Sequence, residues 1–490
     1  MIGRLLLGKE SHFGAYSDID GLPLVVDLDD TLLRTDTLYE SFAAVLFKKP
    51  LSAARALVEL RRGRPAFKSA LCAEGLLDVQ SLPINEELVE YLERQKSGGR
   101  EIHLVSAAAQ TIVDAVADRF DLFDSSPGSS YARNLKGSVK AAYLQSLFPQ
   151  GFVYAGDSRA DLAVWREAGA AVLVGTSNAV SRKAEGYTKI EARFDGISAS
   201  TKDWRQLFRL HQWSKNALIF VALFLGHAYG DPSAWLSVIA GFVFFSITAS
   251  GTYVLNDLAD LSSDRRHATK RERPMAAGRI PLRLGMTAAF ATIGFGLIGM
   301  LALGAIPFLL TLFYLAITLS YSFRFKTAAM LDVLILASLY TIRIILGAEL
   351  ADVVLSDWLL VFSMFFFLSL SMAKRYVEVV KAASETKIRG RGYSGADAVL
   401  LLNFGIATCS CAVFTVCMYL LEAAFPSNAY STPQLLWVAV LSIALWSMRI
   451  WLLAARGELD DDPVAFAVKD RKSLFLGIIA ALGVGGAILF

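Results

Sequence analysis

The chain has 490 residues, of which 54% are hydrophobic, and its 48 Lys and Arg against 45 Asp and Glu give a net charge of +3. This apolar content is too high for an ordinary soluble protein, and the length indicates more than one domain. So small a net charge does not indicate a nucleic-acid partner, and none is expected. The four cysteines form neither a zinc-ligand pattern nor a disulfide framework, so their expected role is packing.

The first 200 or so residues mix charge and hydrophobicity as a soluble domain does. The opening "MIGRLLLGKESHFG" has too short an apolar stretch for a signal peptide, so we expect this half to remain in the cytoplasm. Three apolar strands follow, "LPLVVDLDD", "EIHLVSAA" and "FVYAGDSRAD", and each ends in polar residues. Open α/β sheets place their ligands at such carboxyl ends of strands. The pattern therefore predicts a Rossmann-like α/β domain with a site at one sheet edge.

Residues 20–185 resemble the haloacid dehalogenase-like (HAD) phosphatases, whose four motifs occur here in order. The resemblance implies that Asp27 attacks phosphorus and that Asp29 acts as general acid and base. It implies phosphate binding by Thr31, Ser106 and Lys140, with Lys136 as a second candidate for the lysine. The implied Mg²⁺ ligands are Asp27, Asp29, Asp157 and Asp161. The helical pattern of residues 37–95 fits a small cap over this site.

Two other interpretations of these motifs stay open. The aspartates could be ordinary strand-end caps and turns, although four ordered matches argue against that. The domain could also be a non-catalytic copy, but Asp29, which separates hydrolases from inert copies, is present.

The second half consists of long apolar runs that predict an all-α membrane bundle of about nine transmembrane helices. The candidate spans lie near 215–229, 234–254, 284–303, 305–322, 330–349, 357–374, 398–422, 434–455 and 473–490. Lys and Arg crowd every second connection, while the connections between them contain none. The positive-inside rule then puts the basic connections and the N-terminal domain on the cytoplasmic side of a bacterial inner membrane.

Asp257, Asp260 and Asp264 stand where the second span ends, in "NDLADLSSD". On one helix their spacing of i, i+3 and i+7 puts all three on one face, with Asn256 beside Asp260. Clustered carboxylates repel one another unless a cation neutralises them, and Mg²⁺ bridging a diphosphate is a suitable partner. The basic residues that could balance the negative charge remaining on the phosphates are Lys270, Arg271, Arg273 and Arg279. A positive-inside loop with helix-capping aspartates is the plainer alternative.

"NDLADLSSD" matches the NDxxDxxxD motif, and residues 205–490 resemble the UbiA superfamily of intramembrane prenyltransferases. The resemblance implies that the motif binds diphosphate through Mg²⁺. A second Asp-rich motif is expected in the other half of the bundle, but Lys374, Arg375, Tyr376 and Glu378 stand there. This exchange of carboxylates for cations suggests direct binding of a second phosphate.

Within that superfamily the chain is similar to the decaprenyl-phosphate phosphoribosyltransferases, through "QWSKN" (212–216), "KRYVE" (374–378) and "DDPVAFAVKDR" (461–471). The resemblance implies phosphoribosyl pyrophosphate (PRPP) as donor and a polyprenyl phosphate as acceptor. It assigns Mg²⁺ to Asp257, Asp260 and Asp264, on the leaving pyrophosphate. The implied substrate contacts are Lys215, Asn216, Asn256, Lys270, Arg271, Arg273, Lys326, Lys374, Arg375, Tyr376, Glu378, Arg391 and Tyr393.

The expected organisation is a HAD-like domain at 1–190, a linker or interfacial helix at 191–212, and a UbiA-like membrane domain at 213–490. The expected function is phosphoribosyl transfer to polyprenyl phosphate, followed by removal of the 5-phosphate. The main alternative is transfer of an isoprenoid from a prenyl diphosphate to an aromatic or other small acceptor, with an independent phosphatase. A non-catalytic membrane scaffold is a third. The oligomeric state is left open, a homo-oligomer included.

Three charged residues, Asp332, Arg343 and Arg449, lie within predicted spans. An unpaired charge in lipid costs at least about 2.5 kcal/mol. We therefore expect all three to face the bundle interior, and a structural and a substrate role for Arg343 are equally compatible with the sequence.

Overall fold

The computed structural model describes residues 21–130, 133–196, 198–382, 391–427, 430–459 and 463–489. The opening segment, part of the third basic connection (383–390) and the start of "DDPVAFAVKDR" lie outside this range. The chain forms two compact units. The first contains residues up to Leu207 together with Val254–Thr287, and the second contains Phe208–Tyr253 and Ala288–Phe490.

A five-stranded parallel sheet is the centre of the first unit. Its strand order is β2-β1-β3-β4-β5, and every pair is parallel. The strands are β1 Leu24–Val26, β2 Ile102–Leu104, β3 Val153–Gly156, β4 Ala170–Val174 and β5 Lys189–Phe194. The first four strands are buried throughout, as expected for a sheet covered on both faces. The Rossmann-like sheet is confirmed, and β5 includes the first residues of the segment expected to be a linker.

The helices up to Leu207 are α1 Thr37–Lys48, α2 Pro50–Glu59, α3 Arg64–Cys72, α4 Glu86–Ser97, α5 Gln110–Ala117, α6 Ser138–Leu147, α7 Leu162–Trp165, α8 Asn178–Glu185 and α9 Thr201–Leu207. Helices α4 and α5 cover one face of the sheet, and α6 to α8 cover the other. Leu24 and Val26 pack into one hydrophobic cluster and Val25 into another, because successive strand residues point to opposite faces. Helices α1 to α3 bury a small cluster of their own around Ala53, in agreement with the helical cap expected here.

In its described residues the rest of the chain has eight long apolar helices and three short ones, one of which lies in the first unit. The remaining helices are α10 Val221–Leu225, α11 Pro232–Ala259, α12 Leu261–Arg266, α13 Leu282–Leu303, α14 Ala305–Phe323, α15 Leu331–Leu350, α16 Asp357–Lys381, α17 Ala398–Tyr419, α18 Leu436–Ala455, α19 Pro463–Lys469 and α20 Arg471–Leu489. Eight helical segments in the described residues are long and apolar enough to cross a membrane. Large apolar side chains such as Leu236, Ile298 and Leu482 are about 70% exposed, as lipid-facing residues would be.

The first predicted span, 215–229, does not form such a helix. A 3₁₀ helix over Leu210–Phe220 runs into the short α10, which ends at Gly226. His227 follows with φ 58°, a left-handed conformation that interrupts helical hydrogen bonding. The other eight predicted spans all correspond to long apolar helices.

The charges within spans are paired, as the cost of burying them requires. Arg343 donates to Asn216 Oδ1 (2.8 Å) and to the hydroxyl of Tyr314 (3.2 Å). Arg449 forms an ion pair with Asp470 (2.6 Å). These partners give both arginines a structural role in the second unit.

Candidate functional site

The first candidate site begins in the turn after β1. Asp27 is the first residue beyond the strand, and its carboxylate accepts a hydrogen bond from the backbone N–H of Leu28. Asp29 Oδ1 accepts from the N–H of Thr37 at 2.8 Å. Asp30 has φ 56°, a conformation that aspartate adopts more readily than most residues. The turn fixes the two predicted catalytic carboxylates, Asp27 and Asp29, at the carboxyl end of β1.

Three of the four predicted metal ligands of this domain come together. Oxygen atoms of Asp27, Asp157 and Asp161 lie within 4.8 Å of one another, the only such group of three found among the described residues. They come from the ends of the neighbouring strands β1 and β3, which the parallel pairing places side by side. Hard carboxylate oxygens at this spacing fit a divalent cation such as Mg²⁺.

Lys140 lies beside the same carboxylates. Its ammonium is 3.0 Å from Asp27 Oδ1 and donates to the hydroxyl of Tyr154 (2.9 Å), which in turn donates to Asp161 (2.9 Å). Tyr154 was not predicted as part of this site, because the sequence pattern of a tyrosine inside a strand indicates a core residue. Lys136, the second lysine candidate, is exposed at the same cavity. The buried Lys140 is thus the lysine that directly neutralises the Asp27 carboxylate.

The two other predicted phosphate ligands are buried. Ser106 follows β2, and its Oγ accepts from the backbone N–H of Ala108 (3.0 Å). Thr31 is fully buried, and its Oγ1 has no hydrogen-bond partner within the described residues. Neither of these residues is among those that line the cavity around Asp27, so their phosphate-binding role stays a prediction.

Burial sets the acidity of this site. Burial first, and then the carboxylates of Asp161 and Asp27, raise the pKa of Asp157 to about 9. Burial and the nearby Asp36 raise the pKa of Asp29 to about 7. An Asp29 carboxyl with that pKa is partly protonated at neutral pH, which a general acid requires.

A cavity of about 650 Å³ extends from these carboxylates to the cap helices. Four further cationic side chains line it: Arg64 and Lys68 on α3, Lys136 before α6, and Arg283 at the start of α13. Three of them, Arg64, Lys68 and Arg283, were not predicted from the sequence as residues of this site. No local pattern distinguishes them, since their place at the cavity depends on contacts between distant parts of the chain.

The Asp-rich motif has a different geometry from the one predicted. Helix α11 ends at Ala259 and α12 begins at Leu261, so the motif is not one continuous helix but breaks at Asp260. Asp257 and Asp264 nevertheless face each other across Arg273. One nitrogen of that guanidinium, Nη1, is 2.9 Å from Asp257 Oδ1 and 2.6 Å from Asp264 Oδ2. A single guanidinium thus bridges two carboxylates that the sequence assigned to Mg²⁺.

The same motif offers oxygen ligands for a metal. Both carboxylates are nearly buried, and the side-chain oxygen of Asn256 is buried without a hydrogen-bond partner in the described part of the chain. An amide oxygen and carboxylates are ligands that Mg²⁺ accepts, but among the described residues the carboxylates of this motif do not form a group of three within 4.8 Å, as those of Asp27, Asp157 and Asp161 do. Lys270 and Arg271 are exposed on the connection that follows. Arg279, also named from the sequence, instead pairs with Asp203 at 2.7 Å.

A polar cluster in the second unit surrounds Arg375. This guanidinium is fully buried, lies 2.7 Å from Asp332 Oδ2, and also pairs with Glu378. Tyr393 donates to Asp332 Oδ1 (2.6 Å), and Arg391 lies 3.5 Å from Glu378. The expectation that bare cations occupy this region is wrong for Arg375, because carboxylates from α15 and α16 already balance its charge.

The remaining predicted contacts of the second unit lie in varied settings. Asn216 is buried, donates to Ser246 Oγ (2.9 Å) and accepts from Arg343, which are structural contacts. The half-buried residues are Lys215, Lys326, Lys374 and Tyr376. Tyr376 packs edge-on against Trp451.

Removing one partner of the buried pair should destabilise the second unit. Asp332→Ala is expected to lower the free energy of unfolding by about 3 kcal/mol or more, because it leaves Arg375 buried with one carboxylate fewer. The double variant Asp332→Ala/Arg375→Met should regain most of the lost free energy of unfolding. Thermal unfolding of the detergent-solubilised protein measures both, with the exposed Glu422→Ala as control. Unfolding of Asp332→Ala at the wild-type temperature would contradict the structural role of the pair.

Comparison with known proteins agrees with the membrane half of the chain. The profile of the UbiA prenyltransferase family matches residues 217–479. The protein y4nM of Sinorhizobium fredii is 42% identical over 463 residues, which are 94% of this chain and 90% of that protein. A decaprenyl-phosphate phosphoribosyltransferase of Mycobacterium tuberculosis is 31% identical over 287 residues, or 58% of this chain and 93% of that protein.

Solved structures are more distant in sequence. A UbiA homolog from Archaeoglobus fulgidus bound to GPP and Mg²⁺ aligns with 58% of this chain and 98% of its own, at 17% identity and a TM-score of 0.45. The family profile alone covers more than half of the chain. The chain therefore belongs to the UbiA prenyltransferase family.

Proposed function

We propose that this protein transfers 5-phosphoribose from PRPP to a polyprenyl phosphate and then removes the 5-phosphate of the product. The membrane half would catalyse the transfer and the N-terminal α/β domain the hydrolysis. The final product would be a polyprenyl-phosphoryl ribose.

The observation that carries the transferase assignment is the similarity to a decaprenyl-phosphate phosphoribosyltransferase over 93% of that protein. The Asp-rich motif supports it, since its oxygen ligands and the basic connection after it suit a pyrophosphate donor. The described part of the chain has eight helices that could cross a membrane, and together with the family membership they make the chain an integral membrane protein. The basic connections favour a cytoplasmic position for the motif and the α/β domain.

In the transfer step the bond between ribose C1 and the pyrophosphate oxygen breaks, and an oxygen of the acceptor phosphate forms a new bond to C1. Mg²⁺, held by Asp257, Asp260 and Asp264, would stabilise the charge on the leaving pyrophosphate. Arg273, Lys270 and Arg271 would bind its remaining oxygens. The acceptor phosphate is already ionised, so the reaction needs no strong general base.

In the hydrolytic step Asp27 would attack the phosphorus of the 5-phosphate, while Asp29 gives a proton to the departing ribose oxygen. Asp29 would then take a proton from the water that releases phosphate from Asp27. Lys140 would balance the negative charge at phosphorus. Mg²⁺ at Asp27, Asp157 and Asp161 would shield the phosphate oxygens from the attacking carboxylate.

The choice of donor can be tested by omission. Protein in nanodiscs is given Mg²⁺ and polyprenyl phosphate with PRPP, with a prenyl diphosphate and a phenolic acceptor, or with no donor, and lipid products are analysed by mass spectrometry. We expect a ribosylated lipid with PRPP only, and its loss when EDTA removes the metal. A prenylated acceptor and no ribosylated lipid would overturn the proposal.

Prenyl transfer is a second candidate because of one observation. Two carboxylates, those of Asp332 and Glu378, accompany Arg375 in the half of the bundle where a second Asp-rich motif is expected. This brings the region closer to the pattern of prenyl diphosphate users than the sequence suggested. The donor-omission assay separates the two candidates.

A further inference from the structure

Residues 254–287, which carry the Asp-rich motif, belong to the same compact unit as the α/β domain. Their side chains are tied to that domain at several points. Arg265 forms two hydrogen bonds with the carboxylate of Glu40 on α1 (2.5 and 3.1 Å), and both side chains are about 95% buried. Thr35 also donates to this carboxylate, at 2.7 Å.

Two further contacts fix the later part of the segment. Gly278 has φ 71°, and a Cβ there would lie 2.5 Å from the carbonyl oxygen of Arg34. Only glycine therefore permits this approach to the turn after β1. Arg279 pairs with Asp203 on α9 at 2.7 Å.

The consequence of these contacts is that Pro281, Leu282 and Arg283 form part of the wall of the cavity that contains Asp27. Arg283 is exposed at this wall, and its charge interacts with the exposed carboxylate of Asp30, which lines the same cavity. Arg64, on α3, is a second exposed arginine at the same cavity. The site thus has cationic side chains beyond Lys140, which already balances Asp27.

The position of Arg283 also indicates where its ligand lies. It is the second residue of α13, a helix long and apolar enough to cross a membrane. The end of such a helix lies at the level of lipid headgroups. A ligand of Arg283 is therefore an anion close to the membrane surface.

We propose that Arg283 makes the N-terminal site selective for a phosphomonoester that carries a second, diester-linked phosphate at the membrane surface. The proposal rests on the phosphatase part of the proposed function. Polyprenyl-phosphoryl 5-phosphoribose has this chemistry: Asp27 cleaves the 5-phosphate, and Arg283 binds the diester next to the lipid. In the reaction water and the phosphomonoester give the alcohol and inorganic phosphate, while the diester stays intact.

The test uses two soluble probes that differ only in the second phosphate. One is ribose 5-phosphate, and the other is ribose 5-phosphate with a methyl phosphodiester at C1. Phosphate release by the full-length protein in nanodiscs, with Mg²⁺, gives kcat/KM for each. We expect the wild type to prefer the diester probe, and Arg283→Ala to lose about 10-fold of that preference, mainly in KM.

Two variants accompany Arg283→Ala. Arg283→Lys keeps the charge and should keep part of the preference. Arg266→Ala removes an exposed arginine of the same segment that does not line the cavity. This variant should keep the whole preference for the diester probe. Hydrolysis of ribose 5-phosphate should change less than about twofold in all three, because Arg283 does not contact the cleaved group.

Each remaining outcome overturns a defined statement. Equal hydrolysis of the two probes by the wild type, equal losses on both probes in Arg283→Ala, or the same loss in Arg266→Ala would refute the role of Arg283 and leave the phosphatase assignment standing. Failure of the wild type to release phosphate from either probe or from p-nitrophenyl phosphate would refute the phosphatase assignment and this inference together.

Discussion

Asp27→Asn is expected to produce a lipid product that retains its 5-phosphate, while the rate of ribosyl transfer stays within about twofold of wild type. The carboxylate at Asp27 is the only proposed nucleophile for phosphorus, and it also contributes to the cluster with Asp157 and Asp161. An amide cannot attack phosphorus, and it does not supply the negative charge that the carboxylate offers to a metal ion. Phosphate release should therefore fall on the order of 1,000-fold or more.

The measurement is the mass of the lipid formed from PRPP and polyprenyl phosphate, together with phosphate release. Asp118→Asn, an exposed carboxylate on the surface of the same unit, is the matched control and should give the dephosphorylated product. If wild type and Asp27→Asn give the same product, with or without the 5-phosphate, the two steps are not coupled in this chain.

Asp260→Asn is expected to have the opposite effect. Ribosyl transfer should fall on the order of 1,000-fold, because loss of one carboxylate weakens the binding of the metal ion that would stabilise the leaving pyrophosphate. Phosphate release from ribose 5-phosphate should stay within about twofold, which shows that the variant is folded.

Glu272→Gln is the matched control for this variant, since Glu272 is an exposed carboxylate of the same segment and its ion pairs are long, at 3.6 and 3.8 Å. It should transfer ribose at the wild-type rate. Unchanged transfer in Asp260→Asn would remove the motif from the reaction. A loss of both activities would instead mean that the change disturbs the whole unit.

The sequence predicted those features that depend on residues close together in the chain. Short buried strands followed by polar residues identified the parallel sheet, and the ends of β1 and β3 brought Asp27, Asp157 and Asp161 together as expected. The spans from 234 onward were found for the same reason, since a run of about 20 apolar residues is itself the signal. Segment 215–229 was wrongly predicted to be a span, because backbone conformation, not hydropathy, interrupts its helix.

Features made by distant residues could not be predicted. Arg375 on α16 pairs with Asp332 on α15, and Arg265 meets Glu40 across 225 positions of sequence. The basic connection was interpreted as a phosphate-binding and orienting loop, although three of its arginines, Arg265, Arg266 and Arg279, pair with carboxylates of the first unit. Charge alone does not reveal which of many possible partners an arginine has.

The bridge from Arg273 to Asp257 and Asp264 means that the protein carries its own counter-ion for this motif. Metal-free protein should keep the local structure of the motif, because a guanidinium bridges the two carboxylates. A divalent ion bound here as proposed would displace this guanidinium, and the pyrophosphate of the proposed donor would offer it new oxygen partners. Ion and donor should therefore bind with mutual reinforcement, and each alone should bind more weakly than the pair.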